Sequence, residues 1–350
     1  MKAGIFDPYL DTIGGGERYA LTVAEALLKK GWRVDLFWPD KEIKEKLIQN
    51  FALEIERVNF VSYSPWKRNL LNRWNFEWEY DLLFYLSDGS VPMMLGRRNL
   101  LHFQVPFKNL RPTIKNKIKL ETIDKIICNS LFTKQVIDGR LKVNSTVIYP
   151  PVDVGSIKPG KKEDVILSVG RFSQLLQGKR QDVLVRTFKE MVDRGGLEGW
   201  KLILAGGSEI GGREFLGKIR KMAEDYPIEI VENPNFARLV RLYRKARIFW
   251  TASGYGIDEE KEPEKVEHFG ITTVEAMAAG CIPIVMRKGG QKEIVQDGEN
   301  GFLWETVEEL IEKTKRVVSG ETLARNLSVK ASLRSQDFSK EEFYEQIYNF

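Results

Sequence analysis

Apolar and polar positions alternate in short blocks along the chain. "KAGIFD" opens it, followed by "RVDLFW", "YDLLFYLS", "NLLHFQV", "KIICNS" and "STVIYP". Each is a brief apolar run bounded by turn residues, the pattern of a strand buried on both faces. Between them lie amphipathic stretches such as "RYALTVAEALLKKG" and "SLFTKQVIDGRL", which predict helices. Strand, glycine loop ("TIGGGE"), helix, strand is the start of a parallel α/β sheet. At "YPPVDVGSIKPGKKED" (149–164) prolines, glycines and charge interrupt the pattern, which predicts a linker. A second series follows: "VILSVG", a helix near 180–194, "KLILAGG", a helix near 212–225, "IEIV", a helix near 236–246, "IFWTAS", "VEHFGITTVEAMAAGCIPIV" and "NGFLW". Each half therefore predicts a doubly wound sheet, and two such halves predict a ligand in a cleft at the carboxyl ends of their strands. The closing "FSKEEFYEQIYNF" is amphipathic.

Composition narrows the class. A chain of 350 residues holds about two domains, and 43% hydrophobic with 29% charged residues is ordinary for a soluble protein. No run reaches the roughly 18 apolar residues that cross a bilayer, and the first residues lack a signal-peptide core. The expected setting is cytoplasmic, peripheral at the inner face of a membrane. Cys128 and Cys281 sit in apolar runs, so buried reduced thiols are expected rather than a disulfide framework, and no Cys/His cluster suggests a metal. The net charge of +5 is uneven: residues 1–150 hold 23 Lys+Arg against 17 Asp+Glu, and the rest are close to balance. The surplus suits either an anionic partner of the first half or a solvated basic face. No nucleic-acid partner is expected.

Two stretches carry candidate chemistry. In "LSVGRFSQLLQGKRQD" (167–182) a strand ends at Gly170, Arg171 sits on the next turn, and Lys179 and Arg180 precede a helix. Cations at a strand end and beside a helix N-terminus make a diphosphate clamp, or else a set of solvated loop charges. In 266–285, Glu267 and Glu275 stand eight positions apart. Eight helical steps of about 100° would leave them some 80° apart. The better reading puts Glu267 in a loop, starts the helix between Gly270 and Thr272, and leaves the amides of Phe269, Gly270 and Ile271 at its positive end. Carboxylates for sugar and ribose hydroxyls, with amides for oxygens, suit a nucleotide-sugar. An acidic first turn on an ordinary amphipathic helix is the plainer alternative. "GGGER" does not fit the dinucleotide G-x-G-x-x-G spacing, and only Asp40 stands near where that motif wants an acid, so a dehydrogenase is excluded. Nothing marks a pyridoxal phosphate lysine, which sets aside phosphorylase-like chemistry.

"EHFGITTVEAMAAGCIPIV" resembles the E-x7-E signature of retaining glycosyltransferase family 4, enzymes of the GT-B fold. "GGGER", "NSLFTK", "YPPVD", "VGRF…GKRQD", "LAGG" and "GGQKEIVQDGENGFL" follow the family's order over nearly the whole chain. The set is most similar to mannosyltransferases of lipid-linked oligosaccharide and polysaccharide assembly. The resemblance implies two Rossmann-like domains, 1–155 on the acceptor side and 160–334 for the nucleotide-sugar, with a helix at 335–350 that crosses back to the first. It implies that Arg171 and Lys179 bind the donor diphosphate, Glu275 the ribose and Glu267 the transferred sugar. Residues 268–271, His268 included, line the sugar–phosphate pocket, and Gly14, Gly15 and Gly16 form a facing loop. The family has six positions from arginine to lysine where this chain has eight, so Lys179 and Arg180 both remain candidates. His102 ends a strand and is read either as a core residue or as a group that positions the acceptor hydroxyl or the donor sugar. The implied reaction moves a hexose from GDP-mannose, or a UDP-sugar, to a glycan or lipid-linked acceptor without metal or cofactor; the alternative is a non-catalytic sugar-nucleotide-binding module. "SPWKRNLLNRWNFEWEY" (64–80), with three tryptophans among cations and "LRPTIKNKIK" nearby, reads either as a membrane-contacting surface or as helices covering the sheet.

Overall fold

The structure, a computed structural model, describes all residues except 13, 52, 64–68, 174–176, 209–211 and 350, and only the backbone of 49 and 50. The chain divides into two compact units, Met1–Pro151 with Glu341–Phe350, and Val152–Lys340. Each is a parallel α/β sheet, as the paired apolar runs require.

The first unit runs β1 (Lys2–Phe6), α1 (Gly15–Lys29), β2 (Arg33–Phe37), α2 (Ile43–Phe51), β3 (Asn59–Val61), α3 (Leu70–Glu77), β4 (Leu82–Leu86), β5 (Asn99–Phe103), α4 (Ile114–Leu120), β6 (Lys125–Cys128), α5 (Leu131–Leu141) and β7 (Thr146–Val147). Its sheet order is β3-β2-β1-β4-β5-β6-β7, every pairing parallel. β4 and β5 are buried at every residue, since helices cover both faces. Serine begins α5: the Thr133 amide donates to Ser130 Oγ at 3.0 Å.

The second unit runs β8 (Glu163–Val169), α6 (Gln181–Asp193), β9 (Lys201–Gly206), α7 (Arg213–Ala223), β10 (Ile228–Glu232), α8 (Phe236–Lys245), β11 (Ala246–Thr251), α9 (Ile271–Ala278), β12 (Ile282–Met286), α10 (Gln291–Ile294), β13 (Phe302–Trp304), α11 (Val307–Ser319) and α12 (Glu321–Ser335). Its order is β10-β9-β8-β11-β12-β13, again parallel. The chain goes from β8 to one side and returns to β11 on the other. The ends of β8 and β11 therefore form the switch point where ligands of such sheets bind. The core gathers round Trp250, Trp304 and Phe188.

Two segments join the units in sequence. Residues 149–164, expected as a linker, begin as one and then fold: Val152, Val154 and Ile157 are buried, and the Val152 amide donates to Phe338 O at 2.9 Å. Apolar side chains among the prolines pull the segment onto the second unit. The last helix, α13 (Lys340–Tyr348), packs on α1 of the first unit. Phe343 meets the Tyr19 ring edge-on at 4.9 Å, and the Tyr344 hydroxyl donates to Glu25 Oε2 at 2.5 Å.

The Trp-rich stretch divides between core and surface. On α3, Phe76 stacks on Tyr63 at 4.3 Å, while Leu70, Leu71, Trp74 and, just past its end, Trp78 are exposed, both tryptophans at 49%. Trp66 lies outside the described residues.

Phe343→Ala removes a buried ring and should cost the first unit about 3 kcal/mol. Hydrogen exchange read by mass spectrometry should then speed up in α1 and leave β8–β13 as they were; uniform loosening of both units would contradict the packing described.

Candidate functional site

The site of the second unit is built from main chain pressed on main chain. Gly206, at the end of β9, lies against the end of β8: a Cβ there would fall 2.0 Å from Gly170 O. Gly170 in turn leaves room for Lys179, whose Cγ would be 2.7 Å from a Cβ at 170. The Gln181 side-chain amide donates to Gly170 O (3.2 Å) and Arg171 O (3.1 Å), which fixes the turn after β8. Residues 174–176, inside the stretch that lengthens the clamp, lie outside the described residues.

A second glycine pair supports the loop before α9. The Gly290 amide donates to Glu267 O at 2.8 Å, and a Cβ at 289 or 290 would come within 2.0 Å of Glu267 O or 2.4 Å of His268 O. Gly289 also has a positive φ of 57°, and its amide donates to Glu259 Oε2 at 2.7 Å. "GGQKEIV" is thus the mould against which "EHFG" takes its shape. Gly270 has φ 124° and begins α9. Helix geometry leaves the amides of the first turn, Ile271 among them, without partners inside the helix.

Glu267 lies in the loop, as the spacing argument requires. Lys179 Nζ donates to its Oε2 at 2.5 Å, with the two side chains 19% and 14% exposed. Burial by itself would raise the Glu267 carboxyl. The Lys179 ammonium, helped by His268 and Arg171, outweighs burial and holds it below the usual 4.5. Arg171 is exposed and makes no ion pair among the described residues. His268 is buried, with Nε2 3.1 Å from Glu264 O, and Phe269 meets Phe338 edge-on at 5.3 Å. Glu275 is buried one turn into α9 and accepts from the Tyr243 hydroxyl at 2.9 Å.

Of the two candidate second cations, only Lys179 reaches Glu267. Arg180, held at φ 51°, donates from Nη1 to Tyr255 O at 2.8 Å and from Nε to Asp182 Oδ1 at 3.1 Å. It ties the turn after β11 to the start of α6. Arg171, Lys179, Glu267, His268, Phe269, Gly270 and Ile271 therefore come together, with Glu275 beside them on α9.

Gly14, Gly15, Gly16 and His102 belong to the first unit. Gly14–Gly16 open α1, where the Gly14 amide donates to Glu17 Oε2 at 2.5 Å. A glutamate three residues past the start is a capping-box signal in "GGGER" that sequence reasoning passed over. The motifs that hold Gly206 and Gly289–Gly290 are legible there without their roles, since the contacts are distant in sequence, and no role falls to Tyr255. His102 is wholly buried and stacked on Tyr19 at 3.9 Å, with Nε2 2.9 Å from Gln104 Oε1. Burial lowers its pKa to about 4, the Gln104 bond opposing, so the ring is neutral. The ring is packed against Tyr19, and its Nδ1 is buried without a hydrogen-bond partner among the described residues.

Among the described residues no group of three His, Cys, Asp or Glu side chains is arranged to hold a metal, and no helix is long and apolar enough to cross a membrane.

Two parallel doubly wound units, with cations and a carboxylate loop at a switch point, define a glycosyltransferase of the GT-B class. Residues 153–334 match the family described as glycosyl transferases group 1, and residues 13–156 match glycosyltransferase family 4. The chain belongs to this family. It is 26% identical to a Dictyostelium discoideum GDP-Man:Man(3)GlcNAc(2)-PP-Dol alpha-1,2-mannosyltransferase, over 100% of this chain and 84% of that one. It is 25% identical to an uncharacterized glycosyltransferase of Haemophilus influenzae, over 99% and 98%. Its fold is similar to that of Anabaena Alr3699/HepE, solved in complex with UDP, with a TM-score of 0.74 at 17% identity over 100% of this chain and 99% of that one.

Lys179→Met leaves Glu267 with burial and without its main counter-charge. The carboxyl should move upward in an NMR titration. Because the wild-type value is depressed, the pair stabilises the fold above about pH 4.5 and that contribution fades as pH falls through the folded value. The variant should lose roughly 2 kcal/mol near neutrality, less than a fully buried pair would, and the difference from wild type should shrink in acid. A pH-independent difference would mean the pair does not carry the effect.

Proposed function

We propose that the chain is a retaining hexosyltransferase that moves a sugar, mannose as the first choice, from a nucleotide-diphospho-sugar to a glycan or lipid-linked acceptor. The observation that carries this reading is the Lys179–Glu267 pair with Arg171, set at the β8/β11 switch point beside the start of α9. Arg171 and Lys179 hold the diphosphate, with the first-turn amides of α9 adding their positive partial charge. Glu267 accepts from hydroxyls of the transferred sugar, and Glu275 from the ribose.

In the reaction the bond from the sugar C1 to the diphosphate oxygen breaks, and the acceptor oxygen bonds to C1 on the same face. The acceptor proton passes to the departing phosphate oxygen. The cations stabilise the charge that develops on the leaving group, so no metal enters. The mannosyltransferase named above supports GDP-mannose; the UDP-glucose complex of Alr3699/HepE supports UDP-sugars as the second choice. A non-catalytic binding module would keep the clamp without turnover.

The donor is tested by thermal stabilisation with GDP-, UDP- and ADP-sugars and by release of the nucleoside diphosphate. One nucleotide should raise the melting temperature most and be turned over at a rate that EDTA leaves alone. Glu267→Ala should abolish transfer with the circular dichroism unchanged. Binding without turnover across acceptors would favour the module, and full activity in Glu267→Ala would remove that residue from the mechanism.

The first unit supplies a surface for the reaction's location, the cytoplasmic face of a membrane. α3 exposes Leu70, Leu71, Trp74 and, just past its end, Trp78; α4 exposes Ile114 and Ile118 beside Lys115, Lys117 and Lys119. Both helices are fastened to the same segment: Arg73 Nη2 donates to Met93 O at 2.5 Å and Lys119 Nζ to Val91 O at 2.8 Å. Apolar and aromatic side chains interleaved with lysines fit an anionic lipid surface. The protein should float with phosphatidylglycerol vesicles and much less with phosphatidylcholine alone. The Trp74→Ala/Trp78→Ala double variant should lose most of that binding, and equal flotation with both lipids would discard the idea.

A further inference from the structure

The first unit has its own switch point. From β1 the chain goes to β2 and β3 on one side, then returns to β4 on the other, so ligands of this sheet belong at the ends of β1 and β4. Asp7 is the first residue after β1 and is 1% exposed. Its Oδ1 accepts the Tyr9 amide at 2.9 Å. Its Oδ2 has no hydrogen-bond partner among the described residues. Buried side-chain polar atoms are seldom left unsatisfied, and each that is costs roughly 1–3 kcal/mol.

The surroundings select what can satisfy it. Burial first, then repulsion from Glu17 and Asp11, pushes the Asp7 carboxyl up to about 8 against the Tyr9 hydrogen bond. Near neutrality the group therefore carries its proton and offers both a donor and an acceptor. Glu17 takes the Gly14 amide at the head of α1, and the Tyr9 hydroxyl is raised by burial first and then by Asp88, two residues past β4. An anion entering here meets carboxylates; a neutral hydroxyl meets a partner. Asp7 is closed to solvent in this conformation, so binding includes a local opening.

We propose that Asp7 positions the acceptor, its unsatisfied carboxyl oxygen holding a hydroxyl of an uncharged sugar, and that the first unit accepts neutral glycan ends in preference to phosphorylated or uronate ones. This rests on the transferase reading, and its test separates the two.

Wild type, Asp7→Ala and Asp7→Asn are assayed with the preferred sugar nucleotide and with octyl mannoside, octyl glucoside, and their 6-phosphate and uronate counterparts. Wild type should glycosylate the uncharged glycosides best. Asp7→Ala should raise the acceptor KM about tenfold, equivalent to about 1.4 kcal/mol, with kcat and the donor KM within about twofold of wild type. Asp7→Asn, which keeps a donor and an acceptor, should stay within about threefold of wild type throughout. Preference for the charged acceptors, transfer to none of the glycosides, or an unmoved acceptor KM in Asp7→Ala overturns the inference. So does a fall in melting temperature accompanied by a higher donor KM, which would show that Asp7 serves only the turn or a buried water. Release of no nucleoside diphosphate from any sugar nucleotide by wild type is a different result: it removes the transferase reading, and this inference with it.

Discussion

An ammonium and a carboxylate 2.5 Å apart, mostly withdrawn from water, hold the second unit's site in place. Neither charge is comfortable there alone. Burial opposes the ionised form of Glu267, and only the nearby positive charge reverses that. The pair ties the segment before α6 to the loop before α9, and the glycines on each side make the approach possible. Any side chain at 206, 289 or 290 would place a carbon inside the main chain it faces. On the proposed reading the same pair also responds to its ligand. An incoming diphosphate brings the negative charge that Lys179 otherwise takes from Glu267, which leaves the carboxylate free for sugar hydroxyls.

The α/β order of the chain was legible because parallel strands covered on both faces must be apolar throughout. β4 and β12 are wholly buried and stand out in the sequence as unbroken runs, while β5, equally buried, admits Asn99 and His102. Among the missed elements, β3 with three residues and α10 with four are too short to show a pattern of their own, whereas α11 was missed although Leu310, Ile311, Thr314 and Val317 form its buried stripe. In the site, the start of α9 at Ile271 was legible from helix geometry, because two glutamates eight apart cannot share a face. The partner of Glu267 was not. Lys179 is 88 positions away, and its neighbour Arg180 carries the same charge. What separates them is the left-handed backbone at 180, which sends that guanidinium to Tyr255 and Asp182. Nor could sequence show that His102 is buried, since that depends on Tyr19 lying flat against it.

Each unit, taken by itself, repeats one design with opposite chemistry. In both, the first strand of the series ends in a turn at the switch point, followed by a helix. In the second unit that turn carries Arg171 and, before the helix, Lys179, a setting for phosphate oxygens. In the first it carries Asp7, with Glu17 in the first turn of the helix that follows, which on the proposed reading suits hydroxyls rather than anions. On the proposed reading, the same topology offers a place for a charged leaving group and a place for a neutral nucleophile, and the residues after the strand decide which.

That contrast bears on the charge surplus of residues 1–150. If the surplus served a ligand of the first sheet, cations would gather at the ends of β1 and β4, where the charged neighbours of Asp7 are Glu17 and Asp11. Instead lysines line α4, with Arg111 just before it, and stand among exposed isoleucines in a helix that buries none of its residues. A short helix with no buried face gains little from packing on its own sheet. The proposed contact with an anionic bilayer would account for both its apolar side chains and its charge. The lysines of the basic half thus stand on an exposed helix, while the charges that act on Asp7 at the end of β1 are acidic.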